Sequence, residues 1–115
     1  MEDPLQSIKN GVNSVVNAAI KDANCLFTKS IFELALTDQA VSKLLENHAL
    51  KVVSFFEKLL VSAQNNGSIS LDKDPRVLAH FIVSGLASIN YNQIVFKDKL
   101  LTRHTAEVLI ASIAM

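Results

Sequence analysis

Two segments near the C-terminus carry apolar residues on almost every side of a helix. From Ala106 the sequence reads AEVLIASIA, in which only Glu107 and Ser112 are polar, and VLAHFIVSGLASI, which begins at Val77, is nearly as apolar all round. Helices that are hydrophobic on most sides are buried on most sides. Because a chain of 115 residues has few neighbours to offer a terminal helix, we expect a second copy of the chain to cover these segments.

The pairing expected from these segments is an intersubunit four-helix bundle, in which two helices from each chain meet across a two-fold axis. The sequence therefore predicts a homodimer. Its interface is expected on the apolar surfaces of both segments. The residues predicted to form it are Leu78, Ile82, Gly85, Leu86, Ile89, Ala106, Leu109, Ile110 and Ile113.

Composition limits the remaining possibilities. Hydrophobic residues make up 50% of the chain and charged residues 19%, which is more apolar surface than one small domain hides easily, so we expect a partner surface or an internal cavity. A net charge of zero gives no electrostatic reason for this chain to bind nucleic acid alone. A single cysteine, no secretory signal pattern and no apolar run of about 20 residues predict a cytoplasmic protein without membrane segments.

Helical periodicity runs through the whole chain, which predicts one all-α domain over residues 1–115 with five helices. Asp-Pro dipeptides at Asp3 and Asp74 are typical helix starts, with the aspartate as N-cap and the proline in the first turn. Gly67 is expected to end the long third helix in a left-handed conformation. The predicted helices cover residues 4–20, 25–36, 38–66, 75–95 and 102–114.

The order of several short patterns resembles the effector-binding domain of TetR-type transcriptional regulators. The stretch AQNNGSISLDKDPRVLA, residues 63–79, is similar to the link between the long central helix and the dimerisation helix of that family. NCLFTKSIFELALTDQAV, residues 24–41, resembles its short helix, and EDPLQSI resembles the opening of its first helix. Asn24 and Ser88 stand where the family often has glycine, and nothing in the chain resembles the family's N-terminal helix-turn-helix.

The resemblance implies a ligand-sensing and dimerisation domain of a regulator, most commonly a repressor, in which a small apolar or amphipathic effector alters dimer geometry and DNA affinity of the intact protein. DNA would be bound only through the missing N-terminal domain. The effector pocket would lie between the first four helices, with Ile69 and Leu71 anchoring the link to the domain. The candidate lining residues are Val12, Val16, Phe27, Ile31, Phe55, Phe56, Leu59 and Phe81.

Two other functions stay open on the residues alone. A standalone helical module could bind ligands or dimerise without a DNA role. A small enzyme would have to use Cys25, His48, His80 or His104, which lie on separate segments without metal-ligand spacing, so we expect no enzyme activity, no metal and no cofactor. His80 shares a polar strip with Ser84 and Tyr91, which could be the dimer seam, the wall of a polar pocket or simply the more solvated side of the helix.

Overall fold

The computed structural model describes residues 3–21 and 34–114, and in these ranges the chain is helical without strands. The helices are α1 (Pro4–Lys21), α2 (Gln39–Asn65), α3 (Pro75–Phe96) and α4 (Lys99–Ala114). The predicted all-α class is confirmed. The predicted helix over residues 25–36 lies mostly outside the described residues, so the five-helix count stays a prediction.

Aspartates cap the described helices at their N-termini. They are Asp3, Asp38, Asp74 and Asp98. The carboxylate of Asp74 accepts a hydrogen bond from the Arg76 amide at 2.9 Å, which satisfies a backbone donor that has no partner inside the helix. Asp98, which the sequence placed in a charged link, accepts from the Leu101 amide at 3.1 Å. For this reason α4 begins at Lys99, three residues before its predicted start.

One hydrophobic core joins the four helices. α1 packs against α2, α3 and α4, while α3 lies between α2 and α4. Burial of apolar surface at about 25 cal/mol per Å² makes this core the main stabilising term. The core side chains are Ile8, Val12, Val16, Val53, Phe56, Leu60, Ala63, Ile69, Ala79, Ile82, Leu86, Ile89, Ala106, Leu109 and Ile113.

Two glycines allow neighbouring helices to approach closely. A Cβ at Gly11 would lie 3.3 Å from Cε1 of the Phe56 ring, so the ring packs against the backbone of α1. At Gly85 the same atom would come within 2.8 Å of Cδ1 of Leu109, closer than real Cβ contacts. The cost of a glycine inside a helix, about 1 kcal/mol against alanine, is therefore offset by tight packing at both positions.

The link between α2 and α3 follows most of the sequence prediction. Gly67 has φ of +84°, a conformation that disfavours other residues and ends α2. Ile69 is buried and anchors the link as expected. The same expectation is wrong for Leu71, whose side chain is 76% exposed.

A buried glutamine supplies the second anchor of this link. The side-chain amide of Gln64 donates to the carbonyl oxygens of Ser70 at 3.0 Å and Lys73 at 2.6 Å. These bonds satisfy backbone acceptors in a segment without regular structure. One polar side chain on α2 thus fixes the path by which the chain enters α3.

The contact between α3 and α4 contains a buried polar pair. The Thr102 hydroxyl donates to the amide oxygen of Gln93, and both side chains are almost fully buried. The same hydroxyl lies 3.0 Å from the carbonyl oxygen of Asp98. Buried polar groups are costly when they lose their partner, so this pair helps to fix how α4 packs on α3.

We expect Thr102→Val to lower the free energy of unfolding by about 1–3 kcal/mol, because the buried Gln93 oxygen loses its donor. Gln93→Leu should cost less, since the Thr102 hydroxyl still reaches the Asp98 carbonyl. The double variant should recover most of the loss, because apolar groups replace both partners. Urea unfolding at one fixed protein concentration measures all three, and additive losses in the double variant would contradict the pairing.

Candidate functional site

The structure places most of the predicted interface residues inside the chain. Six are buried against the chain's own helices: Ile82, Leu86, Ile89, Ala106, Leu109 and Ile113. The other three, Leu78, Gly85 and Ile110, are half-buried, and Gly85 packs against Leu109 of the same chain. The physical reason is that α1 packs on this side of α3 and α4, and α2 packs on α3. These side chains are core residues and offer little surface to a second copy.

A different side of α3 is apolar and exposed. Six residues recur every three or four positions along it, so they share one face of the helix. Val77 is 63% exposed and Tyr91 64%. We call this surface the outer face of α3, and it consists of Val77, Phe81, Ser84, Ser88, Tyr91 and Val95.

Helix α4 has exposed apolar residues of its own. Leu101 and Val108 lie seven positions apart, hence on one side of the helix, and both are exposed. The contacts of Gly85 with Leu109 and of Gln93 with Thr102 show that α3 and α4 run antiparallel. The apolar residues that surround nearly all of both helices therefore divide into a set on the covered side and a set on the exposed side.

The predicted pocket residues separate into three groups. Val12, Val16 and Phe56 are buried in the core. Phe27 and Ile31 lie outside the described residues. The remaining residues, Phe55, Leu59 and Phe81, keep exposed surface, although Phe81 belongs to the outer face of α3.

Phe55 and Leu59 line a depression of about 470 Å³ on the surface of α2. The other described lining residues are Lys51, Ser54 and Lys58. The Phe55 ring stands edge-on to the ring of Phe56, with centroids 5.2 Å apart. Cε2 of Phe55 also approaches Gly11 of α1, which fixes the apolar floor of the depression against the core.

The charge at this depression comes from its lysines. Lys51 and Lys58 are seven residues apart and so project from the same side of α2 as Phe55. At 100° per residue, Glu46 and Glu57 leave the helix about 140° and 120° from Lys51. The depression therefore combines an apolar floor with two cations, and neither glutamate lies on the side of α2 that carries Phe55.

The candidate groups for catalysis do not form a site in the part of the chain that the structure describes. His48, His80 and His104 are exposed, and each lies on a different helix. No three His, Cys, Asp or Glu side chains cluster there as a metal site would require. Cys25 lies outside the described residues.

A comparison with protein families matches residues 4–109 to the tetracyclin repressor-like C-terminal domain. The chain belongs to this family. No curated protein and no solved structure gives a significant match. Among the described helices, none is long and apolar enough to span a bilayer. The family match confirms the predicted resemblance to the C-terminal domain of TetR-type regulators.

Sequence reasoning on this TetR-like domain identified the outer face of α3 only in part and gave the two lysines no role in a site. Val77 falls within the apolar stretch predicted for the interface, whereas Ser84 and Tyr91 are assigned to a polar strip with His80, and Val95 is assigned to no surface. Lys51 and Lys58 belong to a series of mixed charges along α2, which is typical of a solvated helix face. The available signal was the second series of positions at 3–4 spacing within the same apolar segment.

We expect the two adjacent phenylalanines of this domain to respond differently to truncation. Phe56→Ala should lower the free energy of unfolding by about 3–5 kcal/mol, because it opens a cavity at Gly11 in the core. Phe55→Ala should cost only about 1 kcal/mol, mainly the edge-to-face contact, since Phe55 is 53% exposed. Chemical denaturation measures both, and equal losses would contradict the assignment of core and surface.

Proposed function

We propose that this chain is the effector-binding and dimerisation domain of a cytoplasmic TetR-like transcriptional regulator, a repressor in its commonest form. The observation that supports it most directly is the family match over residues 4–109. DNA would be bound by an N-terminal helix-turn-helix domain of the intact regulator, since this chain has no net positive charge. This domain would bind a small molecule and hold two subunits together.

The homodimer would form through the outer face of α3 together with the exposed apolar residues of α4. Exposed apolar surfaces of this kind mark interaction sites on soluble proteins. Val77, Phe81 and Tyr91 supply the large side chains on α3, and Leu101 and Val108 supply them on α4. The core residues first predicted for the interface would support these helices from behind.

We expect the chain to sediment as a dimer at micromolar concentration and Phe81→Lys to raise its dimer dissociation constant at least about tenfold, because a charge would be buried in an apolar contact. Val61→Lys, at an exposed residue of α2, is the matched control and should leave the dimer intact. Circular dichroism should show that both variants stay helical. A wild-type monomer, or a Phe81→Lys variant that dimerises like the control, would exclude this surface.

The effector would be an amphipathic molecule with an acidic end, bound at the depression on α2. Ligand sites are mostly apolar with a few polar groups that fix orientation. Phe55 and Leu59 would contact the apolar part, while the ammonium groups of Lys51 and Lys58 would attract a carboxylate. The charge and the apolar floor together favour this class over an uncharged ligand.

Dodecanoate and dodecanol are suitable probes because they differ only in the charged end. Lys51→Glu combined with Lys58→Glu should weaken dodecanoate roughly tenfold, equivalent to about 1.4 kcal/mol, and leave dodecanol nearly unchanged. Phe55→Ala should weaken both. Lys99→Glu, at an exposed lysine of α4, is the control. Calorimetric titration measures each affinity, and equal effects of the control and the double reversal would contradict the site.

Effector binding would reach the DNA-binding parts through helix packing. α2 carries the depression and packs on α3, whose outer face would hold the second subunit. An effector that prefers one subunit arrangement shifts the population towards it, by no more than its difference in affinity for the two arrangements. Because a dimeric regulator needs its recognition helices about one DNA turn apart, such a shift would change operator affinity.

A further inference from the structure

The outer face of α3 is symmetric in residue type about position 86. Val77 and Val95 lie nine residues on either side of position 86, Phe81 and Tyr91 lie five residues on either side, and Ser84 and Ser88 lie two. All six are exposed. Position 86 is also the middle of the helix Pro75–Phe96. From Val77 to Val95 the side chains are thus aliphatic, aromatic, small, small, aromatic and aliphatic.

A two-fold axis perpendicular to a helix pairs residues in this symmetric way. Each residue on one side of the axis meets the residue at the same distance on the other side in the second copy, and the reverse contact is identical. The outer face would therefore place valine on valine, phenylalanine on tyrosine and serine on serine. Each side chain would meet one of matching size and chemistry.

The small residues lie where such a pair of helices would come closest. Ser84, Ala87 and Ser88 are exposed around the centre of α3, and the distance between two packed helices depends on the side chains at their contact. The aromatic residues follow on both sides, where they would pack against one another and surround the serines. A parallel arrangement would instead pair each residue with its own copy and would gain nothing from the symmetric order.

We infer that two copies of this chain pack α3 against α3 in antiparallel orientation, with the two-fold axis at the level of Leu86. In this register Phe81 contacts Tyr91 of the second copy, and Val77 contacts its Val95. The register rests on the proposed dimer, but it makes a claim that the dimer alone does not make. It specifies the occupant of the outer face and the position at which it sits.

Thiol cross-linking of the full chain tests the register. Cys25→Ala removes the only cysteine, and Phe81→Cys is then combined with Tyr91→Cys in one chain. The two positions are about 15 Å apart along the helix, too far for a bond within a chain. In the antiparallel register the double variant should form covalent dimers roughly ten times faster than either single variant, whose own thiols would be about 15 Å apart along the axis.

Val77→Cys combined with Val95→Cys provides a second pair that retains both aromatic residues. It guards against loss of the dimer through removal of Phe81 and Tyr91. Here too the double variant should cross-link and the single variants should not. The Cys25→Ala chain without new cysteines should give no covalent dimer under the same oxidising conditions.

Sedimentation of the wild-type chain separates the possible failures. If the chain is dimeric and the single variants cross-link as fast as the double variants, α3 is parallel or shifted, and the register is overturned while the proposed dimer stands. If the chain is dimeric and neither pair cross-links, another surface forms the contact, and the register is again overturned. A monomeric wild-type chain would overturn both the register and the proposed dimerisation.

Discussion

The packing of α3 between α2 and α4 is the contact on which the rest of the structure depends. Its inner side closes the core through Ile82, Leu86 and Ile89, and the bare backbone at Gly85 admits Leu109 of α4 at short distance. Because these contacts hold one side of the helix, the opposite side is left exposed in a fixed orientation. A helix that is apolar on two sides can therefore serve the core and a partner surface together.

The same arrangement connects the candidate effector site to the candidate dimer surface. Phe55 forms the floor of the depression, Phe56 beside it fills the space at Gly11, and α2 packs on α3. Close-packed interiors transmit small displacements, because few voids can absorb them. A ligand beside Phe55 would thus act on the helix that carries the outer face through side chains already in contact.

Much of the fold followed from local rules. The Asp-Pro starts and the left-handed Gly67 are where the sequence predicts them, since capping and turn formation involve only neighbouring residues. Leu71 and the early start of α4 did not follow. Whether a link residue is buried depends on how the chain is placed against the rest of the domain, whereas the cap at Asp98 is a local signal that the sequence prediction overlooked. Gln64, likewise, has partners six and nine residues away, which no pattern indicated.

For the site, the sequence by itself determined that apolar residues occupy more than one side of α3 and α4. It also determined the symmetric order of residues along α3. Only the tertiary structure decided which side faces the core: Ile82, Leu86 and Leu109 are inside, whereas Val77, Tyr91 and Val108 are outside. No measure of hydrophobic periodicity can distinguish between two apolar sides of one helix. They become different only when α1 and α2 pack against one of them, because burial depends on neighbours that are distant in the sequence.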